Sequence, residues 1–425
     1  MALIYGFFAH RQRWFPYRQL KAAYGILQPP HLARRWNRPA VGAPGLAQRD
    51  AIGALLQIPY LSGYKPATGK QGVTVYDPAR AFPGWNLCVS AHAPEARLTD
   101  MRGVERHRWA LDAKRVWPNL ETDPENRGND KFWRRALLLP GGDLLVVWQY
   151  IGIMRIDRGS HLKWANLNGA HHDVAVDRAG SIYVLTRENK ILPELSRDDS
   201  VFEDFVTILS PDGRLVKRIS LLRSFERSDY APELVPMKSE GDLFHTNTVQ
   251  VLDGSLAEAF PHFREGNVLV SIHTLGIVAI LDPAQEKIVW ALSGQWRAQH
   301  RPQLLPTGRI LMFDNFGSMR VGESRAIEVD PFRQQIVWRY GEARGEGFYS
   351  ATGGFVQRLG NGNTLIVSSN EGRAIEVTPG KEVVWEYDNP FRAGEKNELV
   401  ATLEQVERLP SDMPVAEWAG PGPGR

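Results

Sequence analysis

Six times along this 425-residue chain a glycine and one variable residue open a strand-like, mostly apolar run. The starts read Gly84-Trp85-Asn86-Leu87, Gly142-Asp143-Leu144-Leu145, Gly180-Ser181-Ile182-Tyr183, Gly266-Asn267-Val268-Leu269, Gly308-Arg309-Ile310-Leu311 and Gly362-Asn363-Thr364-Leu365. Most units then pass an acidic or Pro-Gly turn and close on an apolar strand with Trp: Asp100 to Trp109, Asp157 to Trp164, Asp282 to Trp290, Asp330 to Trp338, and Pro379-Gly380 to Trp385. The third unit closes without Trp, from Asp212-Gly213 to Ile219. Self-similarity at roughly 40 to 50 residues, with several short strands per unit, marks radially repeated sheets rather than a helical solenoid. The expected fold is all-β, a six-bladed β-propeller with four-stranded blades, each unit glycine opening a second strand. Function is then expected on the central axis.

A hydrophobic content of 43% can bury one large core, and 39 Gly with 28 Pro supply the turns that many strands need. The expected ring runs over residues 69–412, closed by Leu399 to Leu403 and Val406 to Leu409 completing the first blade. A basic arm and strap, 1–68, precedes it, and the Gly- and Pro-rich tail 413–425 is expected to fray. The single Cys88 excludes an intramolecular disulfide framework, and between Leu87 and Val89 it reads as a buried structural thiol.

Residues 1–50 hold eight Lys or Arg against one acid, whereas the remainder has 43 basic and 47 acidic residues. A basic arm ahead of a near-neutral domain suits an anionic membrane surface or an acidic partner better than duplex nucleic acid, so no nucleic acid is expected as a partner. The opening Met1 to Ala9 is shorter than the roughly 18 to 20 residues that span a bilayer and has no basic leader or cleavage site. It reads as an interfacial segment continued by Phe15, Tyr17, Leu20 and Tyr24, or as the end of a longer apolar stretch.

In such a fold the innermost strands line the axis. Eight residues before the unit glycine stand Arg134, His172 and His300; the same offset gives Tyr76 in the first unit and Gly354 in the sixth. The fourth unit carries an insertion, and its leading strand opens Phe244-His245-Thr246-Asn247. Imidazoles and a guanidinium converging on one funnel suit a sulfate or phosphate ester, which they hold by charge-assisted hydrogen bonds while a His acts as acid or nucleophile. The opposing reading is that these are structural channel residues bonded to backbone and water. His171-His172-Asp173 is a poor metal site, because adjacent strand residues point to opposite faces. No Gly-rich loop precedes a helix, and neither a metal nor any other cofactor is expected.

The second half of the chain also resembles the bacterial arylsulfotransferase family. The resemblance rests on Phe244-His245-Thr246-Asn247, Gln299-His300, Leu305 to Asn315, Ser324-Arg325-Ala326-Ile327-Glu328, Ile336 to Tyr340, Gln357 to Ile366 and Glu376 to Tyr387, with His171 to Asp177 similar to the start of the family's third blade. It covers roughly residues 70 to 410. It implies a six-bladed propeller that moves a sulfuryl group from a phenolic sulfate ester to a phenolic acceptor, without a nucleotide donor, through a sulfated histidine. His245, His300 and Arg325 match family positions that bind and polarise the sulfonate and the leaving phenol. Arg134, His172, Asn247, Asn315 and Ser350 are then candidate substrate-binding residues. The resemblance favours a periplasmic or membrane-associated protein, acting on aryl sulfates and phenolic small molecules.

The chain departs from the family in one respect. The family's nucleophilic His follows the Ser-Arg motif, but here no His follows His300, and the matching strand reads Tyr349-Ser350-Ala351-Thr352-Gly353-Gly354. Either His300, His245 or Ser350 takes over the chemistry, or the funnel is a noncatalytic site for an anionic ligand or a protein partner, tethered by the basic arm.

Overall fold

The computed structural model describes residues 66–120, 128–195, 200–239, 241–317, 322–393, 396–409, 413–415 and 417. The basic arm up to residue 65 and most of the tail lie outside the described residues.

Six antiparallel sheets form the blades of a six-bladed propeller. From the inside outward the second blade is Arg135–Leu138, Leu144–Trp148, Gly152–Ile156 and Leu162–Asn166. The third is Ala170–Val176, Ile182–Ile191, Ser200–Leu209 and Leu215–Ser220, with the short Gly241–Asp242 added parallel to Ser200–Leu209. The fourth is Thr246–Val251, Val268–Ile272, Ile277–Asp282 and Lys287–Ser293, and the fifth His300–Leu304, Ile310–Asp314, Arg325–Asp330 and Gln335–Tyr340. The sixth is Phe355–Arg358, Thr364–Ser368, Arg373–Val377 and Val383–Asp388.

The unit glycines explain the hairpins. Gly142, Gly180, Gly308 and Gly362 have φ between +77° and +87°. Each N–H donates to the carbonyl three residues back: to Leu139, Asp177, Leu305 and Leu359 at 2.9 to 3.0 Å. This is the tight turn from an innermost to a second strand, and its left-handed residue favours glycine. Gly84 stands outside the pattern because its blade has no such hairpin. The first blade takes its innermost strand, Leu403–Arg408, from the far end of the chain, paired antiparallel to Asn86–Ser90, with Glu95–Thr99 and Glu105–Ala110 outside. The expected ring closure is therefore present. Tyr76, however, is not on the axis: Gly72–Tyr76 is a fifth strand on the outer edge of the sixth blade, with Tyr76 opposite Trp385. The inner place it was expected to fill is taken by the C-terminal strand.

Packing follows from strand alternation. Leu144 and Val146 join a cluster with Leu87, Leu98 and Trp109 of the first blade, while Leu145 and Val147 join Val174 and Val184 of the third. Each blade interface holds one such cluster, including Cys88 and Leu403 against Leu365 and Trp385 where the ring closes. Both faces of a middle strand are therefore buried, which makes these strands continuous apolar runs. The Cys88 thiol is buried in this way, and desolvation pushes its pKa up to about 12.

The closing tryptophans lie on the fourth strands of their blades and tie neighbouring blades. Trp109 Nε1 donates to Gly142 O at 3.1 Å, Trp164 to Pro211 O at 3.3 Å, Trp338 to Pro379 O at 3.3 Å and Trp385 to Met101 O at 2.9 Å. Each bond crosses to a turn of the next blade. Trp109 and Trp385 are fully buried, whereas Trp338 is only half-buried.

Candidate functional site

Innermost strands bulge at the funnel end. Between the pairs Val174↔Val184 and His171↔Leu185 the third blade's inner strand carries two extra residues, and His172 adopts φ +54°. One extra residue occurs between His300↔Phe313 and Gln303↔Leu311, where Arg301 is also at φ +54°, and another between Leu403↔Ser90 and Gln405↔Val89. A bulge re-aims side chains that a regular pleat would send to opposite faces. This corrects the reading of His171-His172: the two rings lie on one side, their Nδ1 atoms 2.8 Å apart.

Five imidazoles then form a continuous arc over the third to fifth blades. Ring centroids are 5.1 Å apart for His171 and His172, 4.8 Å for His172 and His245, 4.8 Å for His245 and His273, and 5.2 Å for His273 and His300. Tyr150 lies 6.0 Å from His172.

Two of the five are oriented by polar partners that fix the tautomer. His245 directs Nδ1 at Asp242 Oδ2, 2.7 Å away, while its backbone N–H donates to Oδ1 of the same carboxylate at 2.9 Å. Nδ1 therefore carries a hydrogen and Nε2 a lone pair. With its side chain 29% exposed, His245 is more open than His171, His172 or His300. His300 Nδ1 faces Asn315 Oδ1 at 2.8 Å and the Ala298 carbonyl at 3.1 Å. Both are acceptors here, because Asn315 Nδ2 donates to the Ser350 and Gly353 carbonyls, each at 2.8 Å. His300 Nε2 is thus the basic nitrogen.

Burial keeps much of this arc neutral. Desolvation, followed by the repulsion of Arg187 and His245, lowers the pKa of His171 to about 3. Desolvation likewise lowers His300 to about 3, against bonds from Asn315 and Ala298 that favour the charged form. His172 and His273 are held well below the ordinary imidazole range by burial and by neighbouring imidazoles. Burial raises the Asp242 pKa, but His245 and Arg187 outweigh it and hold the carboxyl below its ordinary value. Asp204, buried and beside the Asp242 charge, is pushed up to about 7.

Beneath the arc the axis is filled by an ion network to which all six blades contribute. Asp173 accepts from Arg135 Nε at 3.3 Å, from the Val249 N–H at 3.0 Å and from Arg301 Nη1. Arg135 Nη1 donates to Glu407 at 2.6 Å, and the Arg135 and Arg301 guanidiniums lie 5.7 and 5.0 Å from the Phe355 ring. Arg134 is paired with Glu404, and its charge reaches far enough to depress both His172 and His300.

The expected site residues divide into two groups. Arg134, His172, His245 and His300 share the funnel, with Asn315 directly behind His300. Asn247 is buried, its Nδ2 donating to Gln299 O at 2.7 Å. Arg325 opens the third strand of its blade, and its three guanidinium nitrogens donate to Asp314 at 2.8 Å, Glu342 at 2.8 Å and Gln295 O. Ser350 is fully buried, its Oγ donating to Thr352 O at 2.6 Å and accepting from the Asn370 N–H at 3.0 Å.

His273, Asp242 and Asp204 escaped the sequence reading. For His273 a signal existed: seven residues after the unit glycines stand Gln149, Arg187, His273, Asn315 and Ser369, polar side chains just past the second strands or, for Arg187, within a longer one. Among the described residues no group of three or more His, Cys, Asp or Glu is placed to hold a metal ion. A cavity of about 250 Å³ lined by Tyr230, His262, Arg264 and Asp282 shares no residue with the arc.

Residues 135–390 match the family described as Arylsulfotransferase (ASST). No curated protein matches the chain. Among solved structures, a Bacteroides caccae protein of unknown function is similar at 11% identity and a TM-score of 0.48, covering 76% of this chain and 98% of that one. A streptogramin B lyase is similar at 10% identity and a TM-score of 0.43, over 80% and 93%. Virginiamycin B lyase from Staphylococcus aureus is similar at 9% identity and a TM-score of 0.41, over 77% and 88%.

Proposed function

This chain belongs to the arylsulfotransferase family, and on that premise we propose that it transfers a sulfuryl group from a phenolic sulfate ester to a phenolic acceptor, with His245 as nucleophile. The observation that carries this reading is the Asp242–His245 couple. The carboxylate fixes the Nδ1–H tautomer, leaves the Nε2 lone pair for attack, and stabilises the positive charge that develops on the ring. In the first half-reaction Nε2 bonds to sulfur, the sulfur–aryl oxygen bond breaks, and a phenolate leaves. In the second the acceptor oxygen bonds to sulfur, the nitrogen–sulfur bond breaks, and the acceptor proton passes to a base.

The remaining funnel groups hold the sulfonate. Arg134 contributes positive charge, and an arriving anion raises the proton affinity of His300 and His273, so that ester binding takes up protons. Asn315 keeps the basic Nε2 of His300 aimed away from itself. Arg325 acts from behind by fixing Asp314. Ser350 is a poor nucleophile, because its hydroxyl is already bonded on both sides. The basic arm is proposed to meet an anionic membrane surface.

The test incubates purified protein with a chromogenic phenyl sulfate, with and without a phenolic acceptor, beside His245→Ala. Release that needs both the acceptor and His245 is expected. Acceptor-independent release means a sulfatase, and no release over hours means that the funnel binds an anion without turning it over.

A further inference from the structure

Once His245 Nε2 is bonded to sulfur, it cannot take the acceptor's proton, so the second half-reaction needs another base beside it. Two imidazoles lie equally close, His172 and His273, each with its ring centroid 4.8 Å from that of His245. They differ in what stands behind them. Nδ1 of His273 is buried without a hydrogen-bond partner among the described residues, whereas Nδ1 of His172 has an imidazole nitrogen 2.8 Å away to which a proton can pass. His172 is backed by a second carboxylate–imidazole pair.

The tautomers of that chain can be worked out from its fixed end. Gln149 Oε1 accepts from the His172 backbone N–H at 3.1 Å, which turns the amide nitrogen toward His172 Nε2, 3.4 Å away. An amide N–H only donates, so Nε2 of His172 is an acceptor and its hydrogen sits on Nδ1. That hydrogen points at His171 Nδ1, 2.8 Å away, which must therefore be a lone pair. His171 then carries its hydrogen on Nε2, facing Asp204 Oδ1 at 3.6 Å. The contacts from Gln149 to His172 and from His172 to His171 both point inward, and the last link, to Asp204, is a 3.6 Å ion-pair contact rather than a hydrogen bond.

We propose that His172, His171 and Asp204 form a proton relay that takes the hydroxyl proton of the phenolic acceptor, a role resting on the sulfuryl-transfer reading above. The acceptor hydroxyl replaces the long Gln149 contact at His172 Nε2. As the acceptor oxygen bonds to sulfur, its proton moves to His172 Nε2, the His172 Nδ1 proton moves to His171 Nδ1, and the His171 Nε2 proton moves to Asp204 Oδ1 once their 3.6 Å contact closes to hydrogen-bond length. His245 leaves sulfur with its lone pair restored. His172 now carries its hydrogen on Nε2, His171 on Nδ1, and Asp204 is neutral; the reverse shift returns the proton to the next departing phenolate. The groups facing this chain are Asp242, Arg187, His245 and Tyr150, together with Arg134 on the His172 side. Asp204 is held by the Thr246 N–H at 2.7 Å, and its carboxyl, pushed up by burial and by Asp242, suits a proton store near neutral pH. His172 is the group that touches the acceptor; His171 and Asp204 act through it.

The experiment compares the wild type with His171→Gln and Asp204→Asn, using one aryl sulfate donor and two acceptors, a weakly acidic phenol and one already ionised at the assay pH. The expected result is a kcat loss about 100-fold greater with the weakly acidic acceptor than with the ionised one, the scale of a positioned general base, and a solvent deuterium effect in the wild type that disappears in the variants. Equal losses with both acceptors would overturn the relay, because a merely structural role does not depend on acceptor acidity. If the wild type transfers nothing, or if a variant fails to fold, nitrogen NMR of 15N-histidine-labelled wild-type protein still decides: hydrogen on His172 Nδ1 and on His171 Nε2 supports the relay, and any other pair of tautomers overturns it.

Discussion

Asn315 Oδ1 accepts the Nδ1 hydrogen of His300 at 2.8 Å, while the other end of the same amide clamps the carbonyls of Ser350 and Gly353. One side chain thus sets the tautomer of a funnel imidazole and anchors the start of the neighbouring blade. Asn315→Ala is expected to lower sulfuryl transfer about 100-fold through the freed imidazole, and to cost about 1 to 3 kcal/mol from unsatisfied buried carbonyls. Steady-state kinetics with a phenyl sulfate and urea unfolding measure the two effects separately.

Acid should destabilise the ring through its buried imidazoles. His171 and His300 titrate near 3 in the folded protein against 6.5 ordinarily, and His172 and His273 also lie well below that value. Between these limits the unfolded chain binds protons that the folded one refuses. Stability is therefore full above about pH 6.5 and falls as pH decreases toward 3, by up to about 1.4 kcal/mol per unit for each imidazole. Asp204 acts in the opposite sense, since its raised pKa favours the fold at low pH, but it is one group against four. Melting temperatures from pH 7.5 to 5 should fall, and His171→Gln should flatten the slope.

Placing a histidine at Gly354, in the segment that matches the family's nucleophile strand, should add no activity to that of His245. Gly354 has φ +111°, and a Cβ there would stand 2.4 Å from Phe313 Cδ1. Gly354→His is expected to cost at least about 1 to 3 kcal/mol through overpacking and backbone strain, with no gain in transfer. Thermal unfolding and the aryl sulfate assay read both outcomes.

The outer tryptophans should differ in weight. Trp385→Ala removes a fully buried ring and its bond to Met101 O, for about 3 to 5 kcal/mol. Trp338→Ala, at a half-buried ring, should cost clearly less. Urea unfolding of the two variants side by side would show the order.

Closure of the ring depends on Arg408. Fully buried in the returning strand, it donates to Asn86 Oδ1 at 2.7 Å, to Phe82 O and to Glu376 Oε2 at 3.1 Å, joining the first and sixth blades. Arg408→Ala leaves Glu376 charged and buried, which is expected to cost about 3 to 5 kcal/mol. Calorimetry should show a lowered melting temperature, and proteolysis should cut first in the C-terminal strand.

Much of the fold was legible because its determinants are local. A glycine three residues beyond a carbonyl makes the inner hairpin turn, a Trp closes the outer strand, and residues 403–408 stand alone after the sixth unit as the strand that completes the first blade. The same offsets reached Arg134, His172 and His300, while His245 was found from its leading strand. What the sequence could not determine is how the inner strands bulge and what each side chain meets across the axis. Two extra residues at His172 bring adjacent histidines to one side, Asp242 takes up His245, and Glu404 takes up Arg134 from 270 residues away. Those pairings belong to the closed ring. Burial strips water from most polar groups on the axis, so each must find a partner, often on another blade, and only the tertiary structure decides which partner that is.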